Sequence, residues 1–186
     1  TEGSSVGDAD HLAEFLLDKS LCNLSLKCLD FVTDKDSVRV LFCTTKAKML
    51  KLKYQEAAED LYNLFTNVDQ TLTDAYIMYG HCKYILGEKD DALNAYYKAI
   101  RVSNLQGQPL KDNLLHQRIG AILISNKKWQ DAKVMFEMCA SNYQTAFSFM
   151  NLGIACLYLE EYENAEKVLT RANILDTSNS TVWGYL

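Results

Sequence analysis

Small residues recur along this chain at fixed intervals, and few folds obey such a rule. Gly153 is followed after twelve residues by Ala165 and after seven more by Ala172. Gly80, Ala92 and Ala99 keep the same intervals, as do Gly120, Ala132 and Cys139. Thr45, Ala57 and Leu64 keep them less cleanly, and Leu12, Leu24 and Phe31 keep the spacing but lose the small residues. Four positions after each alanine stands a large residue: Leu61, Tyr96, Phe136 and Leu169. Small side chains let helix backbones approach where they cross. A repeated triplet of this kind therefore predicts hairpins of helices stacked in series, each leaning on its neighbours rather than on one common centre.

The segment 146–179 is the clearest unit. Its apolar residues return every three or four positions through Phe149, Leu152, Ala155, Cys156 and Leu159, then through Tyr162, Ala165, Val168, Leu169 and Ala172, which predicts two helices joined at Glu160-Glu161. Nine residues after the small residue an aromatic usually follows, at Tyr54, Trp129 and Tyr162, with Lys89 the exception. Eight glycines and a single proline leave too few turn residues for a strand-rich fold.

These residues resemble the tetratricopeptide repeat, whose pattern is W-x2-L-G-x2-Y, then A-x3-F, then P, over 34 residues. Leu152-Gly153 with Ala165 and Leu169 matches best, followed by Tyr76, Tyr79-Gly80, Ala92 and Tyr96, and by Ile119-Gly120, Ala132 and Phe136. Trp183 stands in the tryptophan slot of a further repeat. Two departures are that the closing proline is absent throughout and that the tyrosine slot holds Lys48, Lys83, Leu123 and Cys156. The resemblance implies an all-α solenoid, a right-handed superhelix of antiparallel helical hairpins.

The expected plan is a disordered or foreign leader at 1–7 and one array over 8–186. Its repeats fall at 8–37 (degenerate, turning near Asp18 to Ser20, unless it is one long helix), 38–72, 73–106, 113–145 and 146–179. Gly80 and Gly120 are 40 apart rather than 34, so 107–112, around Gly107-Gln108-Pro109, reads as an insertion. Residues 180–186 begin another helix that is too short to stand alone, so Trp183 is expected to dock on the preceding hairpin or on another copy of the chain. The chain thus reads as a fragment of a longer protein, with self-association through the C-terminal end as one outcome.

Charge and chemistry exclude more than they assign. Twenty-four acidic residues outnumber 19 basic ones, which argues against a nucleic-acid surface. No apolar run is long enough to span a bilayer. Six dispersed cysteines, without a C-x-x-C pair, read as reduced, buried thiols of an intracellular protein. His81 and Cys82 point about 100 degrees apart on a helix and cannot share a zinc. The pairs Asp90-Asp91 and Glu160-Glu161 read as water-facing charges at hairpin turns, without a partner group, and the lysines of 46–53 as a solvated helix face. Neither a catalytic constellation nor a metal or cofactor site is expected, so function should lie in a surface.

In tetratricopeptide arrays the first helices of successive hairpins line a groove that takes partner peptides. Carried over, that gives Arg39, Phe42, Lys46 and Met49; Ile77, His81 and Tyr84; Gln117, Arg118 and Ala121; and Phe147, Met150, Ile154 and Leu157. The resemblance implies a protein partner, a helix or extended peptide with an apolar face. Met49, Tyr84 and Leu157 have packing between hairpins as their competing reading. A chaperone adaptor would need a Lys-Asn clamp for an acidic peptide, but the corresponding pairs are Phe42 with Lys46, Ile77 with His81, and Met150 with Ile154. An RNA-binding helical repeat would need a basic groove. Segments 20–31 and 171–186 also resemble the C-terminal repeats of a family of cilia- and flagella-associated proteins, which implies an axonemal scaffold linked to outer dynein arms.

Overall fold

A computed structural model describes residues 4–18, 21–32 and 37–186. The chain divides into two compact units, Thr1–Pro109 and Leu110–Leu186. The first unit contains α1 (Ser4–Asp18), α2 (Cys22–Asp30), α3 (Val38–Leu50), α4 (Tyr54–Asn63) with a π-helical turn Leu64–Val68, α5 (Thr73–Ile85) and α6 (Lys89–Leu105). The second contains α7 (Asn113–Ser125), α8 (Trp129–Tyr143), α9 (Ala146–Tyr158), α10 (Tyr162–Leu175) and α11 (Ser180–Tyr185). Consecutive helices pair within each unit, and the second helix of one hairpin packs on the first of the next, α2 on α3, α4 on α5 and α8 on α9.

Three of the hairpins close by filling the place of a missing side chain. A Cβ built on Gly80 would lie 2.5 Å from the Tyr96 ring, one on Gly120 2.6 Å from the Phe136 ring, and one on Gly153 2.5 Å from Leu169 Cγ. In these three the large residue four places after the alanine thus occupies the hollow at the glycine of the partner helix. Ala92, Ala99, Ala132, Ala165 and Ala172 are fully buried.

The turn between paired helices is equally regular. Leu52, Gly87, Lys127 and Glu160 take left-handed φ values of 61°, 85°, 58° and 63°. The next amide in each case reaches back five residues, Lys53 N to Lys48 O at 3.0 Å, Glu88 N to Lys83 O at 2.9 Å, Lys128 N to Leu123 O at 2.9 Å and Glu161 N to Cys156 O at 2.9 Å. This is a Schellman closure, in which glycine is the residue without strain. Gly87 shows what the position favours. Leu52 is 72% exposed and gives up no packing if truncated, so Leu52→Gly should stabilise the first unit by about 0.5–1 kcal/mol, read as a higher urea midpoint by circular dichroism.

The first hairpin departs from expectation in register. Leu12, Leu24 and Phe31 face solvent, Phe31 at 80% exposure. The buried set lies one residue later, at Ala13, Ser25 and Val32, and it keeps the intervals of twelve and seven with a small residue restored. Ser25 is tolerated inside because its Oγ donates to the Ala13 carbonyl at 2.8 Å. Ala13, Leu17, Leu29, Val32, Val40, Cys43 and Ala47 form one apolar cluster. α1 begins at Ser4, inside the expected irregular leader, since nothing in Ser4-Ser5-Val6-Gly7 breaks a helix as proline would. Of the turn expected from Asp18 to Ser20, Lys19 and Ser20 lie outside the described residues.

The extra residues before Gly120 are shared between helix and loop. α6 runs for 17 residues against 14 in α10. It ends in another closure of the same type, with Gly107 at φ 71° and Gln108 N bonded to Ser103 O at 3.0 Å. Gln106 Nε2 donates to the Thr71 carbonyl at 2.9 Å, tying this end to the start of α5.

In the second unit Phe136, Ala140, Leu152, Cys156 and Ala165 form one cluster, and Leu169, Ala172 and Val182 another. The Trp129 and Tyr158 rings stack 4.0 Å apart. Glu161 is not the unpartnered charge expected of it: Lys133 Nζ donates to its Oε1 at 2.7 Å and Oε2 at 2.6 Å, and Asn164 to Oε2 at 3.1 Å. The Lys133 hydrogen bond holds the carboxyl below its usual range and raises the ammonium pKa. Val182, not Trp183, is the residue of α11 that docks; Trp183 stays exposed, its indole N–H donating to the Thr177 carbonyl at 3.2 Å.

Candidate functional site

Within the first unit the facing residues of α1, α3 and α5 leave an apolar cleft of about 320 Å³, lined by Leu17, Lys46, Met49, Leu50 and Met78. Lys46 and Met49 were expected on a binding face. Leu17, Leu50 and Met78 were not, although Leu50 lies one helical turn after Lys46 and Met78 is the neighbour of Ile77. Two flexible methionines and two leucines make a wall that adapts to apolar side chains. The Lys46 ammonium supplies the one formal charge among the lining residues.

The other candidates of this unit have different surroundings. Ile77 is 8% exposed and belongs to the interior, because the apolar stripe of α5 points it inward while Met78 faces the cleft. His81 Nδ1 lies 2.8 Å from the Tyr96 hydroxyl, with the rings edge to face at 5.5 Å. Arg39 is exposed, and its Nη1 lies 2.8 Å from His11 Nε2, linking α3 to α1. Phe42 and Tyr84 are half-buried. The neighbouring lysines are largely paired: Lys48 with Asp60 across α3 and α4, and Lys53 with Glu56 at 2.8 Å.

In the second unit Gln117 on α7 donates to Ser148 Oγ on α9 at 3.3 Å and, more weakly, to Thr145 Oγ1 at 3.5 Å. Arg118 and Ala121 are half-buried. Phe147 is exposed, with its ring centroid 6.2 Å from that of Phe136. Ile154 is 8% exposed, so it is core rather than wall. Met150 and Leu157 pack against the cluster of Leu169, Ala172 and Val182, the use that competes with ligand contact for Leu157. Phe147 is therefore the large apolar candidate that this unit leaves at its surface.

The four buried thiols offer little reactivity. Cys43, Cys82, Cys139 and Cys156 are buried, and burial pushes Cys139 up to about 11 and also raises Cys156. Among the described residues no three His, Cys, Asp or Glu side chains converge as a metal site would require. None of the described helices is long and apolar enough to cross a membrane.

Comparison with known proteins places this architecture. Residues 33–186 match the model of the family described as "Cilia and flagella-associated protein 70 C-terminal domain". Human cilia- and flagella-associated protein 70 is 27% identical over 138 residues, which are 74% of this chain and 12% of that protein. The chain thus spans about an eighth of that relative's length. Among solved structures, the one titled "Functional Characterization of Pseudomonas Aeruginosa pilF" superposes with a TM-score of 0.81 at 14% identity, covering 98% of this chain and 81% of that one. The crystal structure of YrrB, titled a TPR protein with an unusual peptide-binding site, gives 0.73 at 18% identity, covering 95% and 89%. Sharing their hairpin architecture and matching the family model over most of its length, the chain is an all-α tetratricopeptide-type solenoid and belongs to the family of the cilia and flagella-associated protein 70 C-terminal domain.

Proposed function

We propose that this chain is a non-catalytic docking scaffold of the cilium or flagellum, and that it holds a partner associated with the outer dynein arms. The observation that carries the reading is the cleft of Leu17, Met49, Leu50 and Met78, an apolar recess on first-helix residues with Lys46 beside it. A partner helix or extended segment inserts one or two apolar side chains there and sets an acidic residue against Lys46. Phe147 offers a second apolar contact. The ciliary setting is supported by the family membership and by the name of the human relative. Relatives in this fold include a protein titled as peptide-binding, which supports a peptide or protein as the partner.

Co-sedimentation with demembranated axonemes tests this. The chain should pellet with axonemes that carry outer arms and not with axonemes stripped of them. Met49→Glu puts a charge into the apolar recess and should weaken pelleting about tenfold or more, while the melting temperature stays near that of the parent. Equal pelleting with stripped axonemes, or an undiminished Met49→Glu, would refute the proposal.

A further inference from the structure

A second recess in the first unit has a different chemistry. It measures about 340 Å³ and is lined by Gln55, Ala58, Glu59, Tyr62 and Asn63 of α4 and by Tyr79 and Lys83 of α5. Its wall is part of an aromatic cluster. Tyr62 meets Phe65 at 5.4 Å and Tyr79 at 6.2 Å, and Phe65 meets Tyr79 at 5.3 Å and Tyr76 at 4.4 Å.

The inner rings of this cluster already carry cations of their own chain. Lys98 Nζ sits 4.7 Å from the Tyr76 ring centre and 5.8 Å from that of Phe65, and Lys83 Nζ sits 5.6 Å from that of Tyr79. Tyr62, at 53% exposure, is the outermost ring, and none of the described lysines or arginines covers it. The charge around the recess is acidic. Lys83 is neutralised by Glu88 at 2.6 Å, which leaves Glu59 on the lining and Asp91, whose charge reaches the Tyr79 hydroxyl. Gln55 Nε2 donates to Glu59 Oε1 at 3.0 Å. Glu59 Oε2 and the Gln55 and Asn63 side-chain carbonyls remain as acceptors on the same rim.

We infer that the Tyr62–Glu59 recess receives an arginine side chain from a partner protein, the guanidinium stacking on Tyr62 and donating to the Glu59 carboxylate. A planar group with five N–H donors uses an aromatic face and several in-line acceptors together, which a compact ammonium does less well. An acidic partner segment would meet repulsion from Glu59 and Asp91, and an apolar one would strand the rim acceptors without donors. The volume suits one long side chain rather than a helix. This site is separate from the Met49 cleft and stands or falls without it.

The test is a titration of the chain, carrying 13C-labelled tyrosine, with acetyl-hexaarginine amide, and with the hexacitrulline peptide as its neutral isostere. The arginine peptide should shift the Tyr62 and Tyr79 ring signals saturably, less so as salt rises, and the citrulline peptide should leave them in place. Tyr62→Leu should weaken binding about two- to fivefold and Tyr62→Phe should bind like the parent, since only the π face is needed. Glu59→Gln, on an exposed side chain that does not threaten folding, should weaken it about two- to fivefold. Shifts spread evenly over all tyrosines, equal shifts from the citrulline peptide, or parental affinity in Glu59→Gln would each overturn the assignment.

Discussion

Phe136→Ala should lose about 3–5 kcal/mol of stability in the second unit, the range for removing a buried aromatic ring. Phe136 is fully buried, and its cluster comprises Ala140, Leu152, Cys156 and Ala165, drawn from three helices. On its remaining side lies Gly120, whose missing Cβ is what makes room for the ring. Truncation therefore opens a cavity between a glycine and an alanine, neither of which has a side chain long enough to close it. The hollow is apolar and would stay dry. A loss of this size approaches the whole stability of a small domain. Both tryptophans of the chain, Trp129 and Trp183, lie in the second unit, so intrinsic fluorescence in urea reads this loss directly. A shift worth less than about 1 kcal/mol would mean that the ring is not what keeps α7 and α8 apart and in register.

The hairpins were legible because their rule is steric and each violation is costly. A glycine facing a large side chain sixteen residues on cannot be exchanged freely, so the triplets of Gly80, Gly120 and Gly153 stand out against ordinary helical periodicity. The register of the first hairpin is ambiguous by one position for the opposite reason. Its sequence offers leucines in adjacent places, so the frame of Leu12, Leu24 and Phe31 and the frame of Ala13, Ser25 and Val32 both satisfy the spacing. The second frame buries Ala13 and Val32 with Leu17, Leu29 and Val40, and a hydrogen bond from Ser25 to the Ala13 carbonyl lets a polar residue sit among them. The π-helical turn at Leu64–Val68 had no signal in composition at all.

The candidate surfaces were less legible, because burial on a packed first helix depends on its neighbours. Ile77 and Met78 are adjacent and equally apolar, yet one is core and the other lines the cleft. A rotation of about 100 degrees separates them, and the packing of α5 on α4 and α6 decides which way the helix turns. The same holds for Ile154, which a residue-by-residue transfer of the groove put on the open face. Long-range ionic partners are harder still. Lys133 reaches Glu161 across 28 residues, and nothing local to either end announces the pair. The recess beside Tyr62 joins α4 to α5, two helices that belong to different repeats, so a reading confined to one repeat at a time could not assemble it.

Gly120→Ala is the mirror image of emptying the ring's site, and it should destabilise the chain by up to about 2 kcal/mol. Alanine gains roughly 1 kcal/mol of helix propensity over glycine, so on that ground alone the change would stabilise α7. Against it stands a Cβ placed 2.6 and 2.7 Å from two carbons of a rigid, fully enclosed ring, an overpacking of the kind that costs about 1–3 kcal/mol. Gly80→Ala should behave the same way or worse, since the opposing Tyr96 ring is held by its hydroxyl at 2.8 Å from His81 Nδ1. Gly153→Ala should cost less, because Leu169 can turn about its own side-chain bonds where a ring cannot. Gly184, with nothing within 4 Å of a built Cβ, supplies the control and should tolerate alanine without loss. Combining Gly120→Ala with Phe136→Leu should recover part of the sum of the two single losses, because the smaller residue vacates the space that the new methyl needs. If Gly120→Ala instead raised the urea midpoint, or if the double variant were strictly additive, close contact between glycine and ring would not be what sets the spacing of these hairpins.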